Sequence, residues 1–416
     1  MDAIHIRGGN SLFGETKIQG SKNAVLPVMA AALLVDDISI LDNCPRISDV
    51  CHMQKLLTRI GCRISRADRT LMIDARCVSG DRMSGDSVTE MRSSIMLLGA
   101  MLGRFGEVSM AYPGGCVIGK RPIDMHLDAL SRMGVSISEE EGAFTARAEN
   151  LKGAVITLPF ASVGATENVL LAAVKARGVT VLQNAAREPE IVALCQFLRK
   201  SGAVIEGVGS SSLVIQGGNP LHGTQFAVPA DRIVAGTYLF SALGMGGHIL
   251  LKDAPVSQMK EMIRVAVQMG AEIAVSGEGL SVLAEPGPGP VPFLKTDVYP
   301  GFPTDMQSPL MAVLAGTEGI STIEETIFED RFRIAGELIK MGADITLSGN
   351  RAVITGVPRL YGCEVEAREL RGGAGLVIAG CMAEGETVVK NRHFIERGYE
   401  DICRDYRNLG VNIVTG

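Results

Sequence analysis

Hydrophobic and polar positions along this 416-residue chain follow two periods in turn. The stretches Val25 to Leu34, Ser94 to Leu102, Glu167 to Ala176 and Pro309 to Leu314 are apolar with hardly a polar face, the pattern of helices enclosed within a domain. Other helical stretches end at glycine and run into short alternating segments, read as half-buried strands. This junction occurs six times, at Gly61, Gly134, Gly202, Gly270, Gly342 and Gly410, with spacings of 68 to 73 residues. Glycine takes the left-handed conformation at the C-terminus of a helix without steric cost, so each junction predicts a helix closed by glycine and followed by a strand. Six such units predict an α/β fold, dividing into two similar domains of three repeats each with a cleft between them. The Pro- and Gly-rich stretch Glu285 to Pro292 reads as a surface loop, too short for a flexible linker.

Composition narrows the function. The net charge of −6, from 40 basic against 46 acidic residues, and the absence of tryptophan argue against nucleic-acid binding through a basic or stacking surface. The nine cysteines are odd in number, scattered and without Cys-x-x-Cys spacing, as expected of free thiols in a reducing compartment. Neither a signal-peptide core nor an apolar run of the ~18 residues a membrane span needs is present. The expectation is a cytoplasmic protein without membrane, metal or cofactor, since no histidine pair has ligand spacing.

Candidate chemistry gathers in a few segments. Tyr112 to Asp124 is rich in glycine and proline and holds Cys116 beside Lys120 and Arg121, a setting that lowers a thiol pKa. Gly114 to Lys120 matches most of a P-loop, but Arg121 and Pro122 stand where a hydroxyl and a helix start are needed. Gly244-Met245-Gly246-Gly247 lacks dinucleotide spacing. Ser21 and Lys22 open an apolar helix, which suits either an anion contact or a solvated lysine. Ser162 to Asn168 suits a diphosphate or a simple capped turn. Asp305 suits a base or the cap of the following helix. Arg331, Arg371 and Arg397 are guanidiniums beside glycines or at element ends, suited to bidentate anion binding and singly ordinary as surface charges.

Together, Gly20 to Ala24, Pro113 to Cys116, Arg121 to His126, Ser162 to Asn168, Asn184 to Glu190, Phe302 to Gln307 and Arg397 to Glu400 resemble the UDP-N-acetylglucosamine enolpyruvyl transferase family along essentially the whole chain. The resemblance implies an inside-out α/β barrel fold of two domains, each of three βαβαββ repeats. It places one domain at residues 1–21 plus 231–416 and the other at 22–230, with the active site between them. It also implies transfer of the enolpyruvyl group of phosphoenolpyruvate to the sugar 3-hydroxyl of UDP-N-acetylglucosamine by addition and elimination, the first committed step of peptidoglycan synthesis. Cys116 would then be the proton donor and site of a pyruvate adduct, and Asp305 the base. Lys22, Arg121 and Arg397 would hold phosphoenolpyruvate, with Arg331 and Arg371 nearby. Asn23, Arg92, Arg121, Pro122, Ile123, Asp124, Met125, Ser162, Val163, Gly164 and Ile327 would contact the sugar nucleotide.

Three positions depart from the family pattern: Glu369 and Glu396 stand where aspartate is usual, and Tyr299 where histidine is common. They leave room for another sugar-nucleotide acceptor. A non-catalytic binding paralogue is the alternative from a different class, and the joint presence of Cys116 and Asp305 argues against it.

Overall fold

The computed structural model describes residues 2–78, 95–112, 123–140 and 143–416. The chain falls into two compact units, Ala230–Gly416 with the N-terminal segment through Gln19, and the described residues from Gly20 to Pro229. In each unit three helices pack on one another at the centre. They are Lys22–Ala32, Met96–Phe105 and Val163–Ala173 in the first part of the chain, and Arg232–Met245, Gln307–Ala315 and Leu370–Met382 in the second. Every residue of Gln307–Ala315 is buried, and Leu370–Met382 is buried up to Cys381. A helix that is apolar all round has no face to give to water, so it belongs inside.

Around these helices stand six small sheets among the described residues. Their strands alternate buried and exposed positions, as in Leu213 and Ile215 against Ser212 and Gln216, so one face covers the helices and the other meets solvent. Five sheets share one plan. In Val155–Thr157, Val179–Gln183, Ser212–Gln216 and Val204–Glu206 the first two strands pair in parallel and the rest antiparallel. Read along the chain this is the βαβαββ unit. The sheet of Glu107–Ala111, Ala143–Arg147 and Ser136–Glu140 shows the three antiparallel strands of the same plan.

All six junction glycines have positive φ, from 89° at Gly134 to 109° at Gly61. At each one the amide after the glycine reaches back over the last turn, as in Cys62 N–H to the Leu57 carbonyl at 2.9 Å and Val411 N–H to Tyr406 at 3.0 Å. A Cβ in this conformation costs about 1–2 kcal/mol, which is why the position repeats as glycine.

Three sheets are completed from far along the chain, one of them by the parallel pairing of Leu12–Lys17 with Gly247–Lys252. Gln225–Ala227 pairs in parallel with Ile38–Asp42, and Ala3–Arg7 lies between Glu386–Lys390 and Asn412–Thr415, antiparallel to both.

Candidate active site

Lys22, Asn23, Ser162, Val163, Gly164 and Arg371 lie at or next to the N-termini of central helices, and Asp305 just before one. In the unit from Gly20 to Pro229, Ser21 caps Lys22–Ala32 and Ser162 caps Val163–Ala173; each hydroxyl accepts an amide three residues on, Ala24 and Ala165, at 3.3 Å. Both caps are neutral, and neither first turn carries an acid. The partial positive charge of each helix end therefore stays available to an anion. Lys22 Nζ lies 3.1 Å from Asp49 Oδ2, and Asp49 is buried in the first turn of Ser48–Ile60. Asn23 follows, half-buried.

Gly164 is pressed against a histidine ring. A Cβ there would sit 2.8 Å from His126 Cε1 and 3.2 Å from Nε2. Asn168 fixes that ring: its Oδ1 accepts Gly99 N–H at 2.7 Å, so its Nδ2 is the donor, 2.9 Å from His126 Nδ1. Nδ1 must then accept, which leaves the imidazole proton on Nε2, the edge facing Gly164. Deeper in the same helix Glu167 is fully enclosed, its Oε2 without a hydrogen-bond partner. Burial, with Glu190 and Glu188 nearby, pushes its carboxyl well above the usual range. Ile123 is buried at the start of Asp124–Arg132, where Asp124 is exposed and Met125 half-buried.

In the other unit two of the three central helix ends are capped by carboxylates. Asp231 Oδ1 accepts the amides of Ile233 and Val234 at 2.8 and 3.1 Å. Glu369 accepts Arg371 N–H at 2.8 Å and also that of Gly372. The longer glutamate fits because a Cβ at residue 372 would lie only 2.6 Å from Glu369 Oε1. The usual aspartate is thus replaced by a glutamate that still caps. Glu396, by contrast, is exposed and pairs with Arg392 at 3.2 Å, and Tyr299 lies under the Arg232 guanidinium.

Asp305 does not cap the next helix. It sits in the 3₁₀ turn Thr304–Met306, and Gln307–Ala315 begins after Met306 with no side-chain cap. Its carboxylate is taken instead by two arginines, Oδ1 by Arg331 Nη2 at 2.8 Å and Oδ2 by Arg371 Nε at 3.1 Å. These two arginines are not surface charges, as their side chains are 2% and 3% exposed, while Asp305 is 27% exposed. Burial works against the Arg371 charge, and the adjoining Asp305 carboxylate overrides it and holds the guanidinium firmly protonated. Beside them Glu325, buried, accepts Ile327 and Phe328 amides at 2.8 and 3.1 Å and the Thr304 hydroxyl at 2.9 Å, tying the Asp305 turn to the Ile327 turn. Arg397 closes the 3₁₀ segment Arg392–Arg397, half-buried.

Sequence reading missed Asp49, His126, Glu325 and Tyr399 as supports. Asp49, His126 and Tyr399 meet candidates far along the chain, Lys22, Gly164 and Arg371, while Glu325 ties its near neighbour Ile327 to the distant Thr304. Cys116, Arg92, Arg121 and Pro122, with Lys120, lie outside the described residues. Among the described residues no group of acidic, histidine or cysteine side chains is arranged to hold a metal ion.

Comparison with known proteins bears on the whole chain. The family EPSP synthase (3-phosphoshikimate 1-carboxyvinyltransferase) matches residues 6–405. UDP-N-acetylglucosamine 1-carboxyvinyltransferase of Zymomonas mobilis is 45% identical over 99% of both chains. UDP-N-acetylglucosamine 1-carboxyvinyltransferase 2 of Caldanaerobacter subterraneus is 42% identical over 100% of this chain and 99% of its own. Among solved structures, the enolpyruvyl transferase NikO of Streptomyces tendae superposes with a TM-score of 0.88 at 24% identity, covering 99% of this chain and 98% of its own. EPSP synthase of Acinetobacter baumannii superposes with a TM-score of 0.74 at 19% identity over 100% of both chains. At these identities the two structures speak for the fold. With full-length relatives above 40% identity and a fold of six βαβαββ repeats, the chain belongs to the EPSP synthase family and, within it, to the UDP-N-acetylglucosamine 1-carboxyvinyltransferases.

Proposed function

We propose that this protein transfers the enolpyruvyl group of phosphoenolpyruvate to the 3-hydroxyl of UDP-N-acetylglucosamine and releases phosphate, the first committed step of peptidoglycan synthesis. The observation that carries this reading is Asp305, a partly exposed carboxylate held between two buried guanidiniums. It suits a base at the sugar hydroxyl, set among cations that orient a phosphorylated carboxylate. Addition of that hydroxyl to C2 with protonation at C3 gives a tetrahedral intermediate. Elimination then expels phosphate, whose charge Lys22, Arg121, Arg371, Arg397 and Arg331 hold and stabilise.

Cys116 is assigned as the proton donor at C3 and as the residue that forms the pyruvate adduct. Ser162, Val163 and Gly164 offer a neutral helix end to the diphosphate, and Asn23, Arg92, Pro122, Ile123, Asp124, Met125 and Ile327 complete the sugar-nucleotide contacts. The reaction takes place in the cytoplasm, a reading supported by the eight described cysteines, all free thiols.

The test is phosphate release on mixing the protein with both substrates, alongside Cys116→Ala. Release that requires both substrates and is lost in the variant is the expected result. A folded wild-type protein that binds the sugar nucleotide and releases nothing would remove the transfer reading.

A further inference from the structure

Arg371 has a third contact besides its amide cap and its carboxylate partner, and that contact has a fixed direction. Arg371 Nη1 lies 3.4 Å from the Tyr399 hydroxyl, and the guanidinium sits over the Tyr399 ring, 5.7 Å from its centroid. The same hydroxyl is 2.7 Å from Thr237 Oγ1. Thr237 has already given its proton to the Ile233 carbonyl at 3.0 Å, one turn back in the helix Arg232–Met245. Its oxygen can therefore only accept from Tyr399. The phenol, its proton spent on Thr237, then presents its oxygen lone pairs to Arg371. The chain of donors runs one way, from Arg371 through Tyr399 and Thr237 to the backbone of a central helix.

The tyrosine is itself held from both sides. Gln19 donates to the Gly398 carbonyl at 3.0 Å and accepts Glu400 N–H at 2.8 Å, so one buried side chain fixes the backbone before and after Tyr399. Burial raises the phenol pKa, and it stays a neutral donor at physiological pH. Tyr399 and Thr237 are both fully enclosed, so neither reaches a substrate.

We propose that Tyr399, backed by Thr237, is a positioning residue for Arg371, fixing the rotation of its guanidinium so that it meets phosphoenolpyruvate in one orientation. The inference rests on the transfer reaction proposed above. Arg371 Nε and Nη2 both lie 3.1 Å from Asp305 Oδ2, which leaves the opposite edge to be set by Tyr399. Without the phenol oxygen the guanidinium stays charged and buried but gains freedom to turn, and substrate binding must then supply the ordering.

The experiment uses Tyr399→Phe, which removes one atom, Thr237→Val, which cuts the chain one link further on, and the double variant. The expected result is a KM for phosphoenolpyruvate raised about fivefold in Tyr399→Phe with kcat within about twofold, because the lost contact serves ground state and transition state alike. Thr237→Val moves KM the same way by less, and the double variant matches Tyr399→Phe instead of multiplying the two effects. An unchanged KM, or independent effects in the double variant, overturns the proposal; a drop in melting temperature alone does the same, as it marks a purely structural tyrosine. Should the wild-type protein release no phosphate, the transfer reading fails separately, and the positioning role is read from the Arg371 Nε–H resonance. Faster solvent exchange of that proton in Tyr399→Phe upholds it, and an identical rate overturns it.

Discussion

The two units build their central helices on the same plan but finish the helix ends with opposite chemistry. From Gly20 to Pro229 the caps are serines, Ser21 and Ser162. In the other unit they are Asp231 and Glu369. A hydroxyl satisfies a free amide and leaves the positive helix end exposed, whereas a carboxylate satisfies it and cancels that charge. Where the end is cancelled, an arginine follows at once: Arg232 directly after Asp231, and Arg371 two residues after Glu369. The helix ends thus offer an anion backbone amides, with Lys22 directly after Ser21, in one unit, and guanidiniums beside capped ends in the other. The first suits a ligand approached closely by backbone, the second a small, highly charged one gripped at its oxygens.

The comparison makes its strongest demand at Asp305. Asp305→Asn is expected to lower kcat about 100- to 1000-fold in the phosphate-release assay, with a folded protein by circular dichroism. Activity within tenfold of wild type would reduce Asp305 to a counter-ion for its two arginines. Next comes Ser162→Asp, which gives one unit the cap of the other. The helix stays capped, so stability moves by no more than about 0.5 kcal/mol, while KM for the sugar nucleotide rises about tenfold through repulsion of the diphosphate. An unchanged KM would mean that the neutral cap is not kept for an anion.

Glu369→Ala tests the carboxylate cap itself. Loss of two charge-assisted bonds to buried amides should cost about 2 kcal/mol in urea unfolding, with Glu369→Asp recovering most of it; a neutral alanine variant would show the cap to be idle.

The smallest effect concerns Glu167, an enclosed carboxyl without the arginine partners that Asp305 has. Its pKa is raised on folding above the ordinary 4.5. The stability it contributes is therefore complete below that value and is lost as pH rises through the folded-state pKa. Glu167→Gln carries no such loss, so its advantage over wild type should grow steadily as pH rises from 4 to 8. Parallel stability curves would exclude it.

Much of the architecture was legible because it is local. A glycine needed at positive φ and a helix with no polar face are properties of a few adjacent residues, and all six junctions stand where the pattern places them. The site was legible only in outline. Lys22 is readable as a helix-opening cation, but its partner Asp49 comes from the start of another helix. Arg331 and Arg371 look like surface charges until Asp305, brought from 26 and 66 residues away, makes their burial tolerable. The same residue looks like a helix cap until its carboxylate is seen to be engaged elsewhere. Pairings across folded elements leave no mark on the local pattern of either partner, so Glu325 went unnoticed and His126 entered only as the end of a motif, without its contacts to Gly164 and Asn168.

The strand Ala3–Arg7 has a consequence for how the protein is made. It is synthesised before every other described strand, yet its neighbours Glu386–Lys390 and Asn412–Thr415 come after every other described strand. On the ribosome, the unit from Gly20 to Pro229 has all its described strands once Gln225–Ala227 has emerged, well before Glu386–Lys390 is made. The other unit must hold its first strand unpaired through nearly the whole of elongation. Folding is then ordered in time, with the unit from Gly20 to Pro229 able to form before Glu386–Lys390 and Asn412–Thr415 emerge, and until they do the edges of Ala3–Arg7 stay open to pairing elsewhere or to a chaperone.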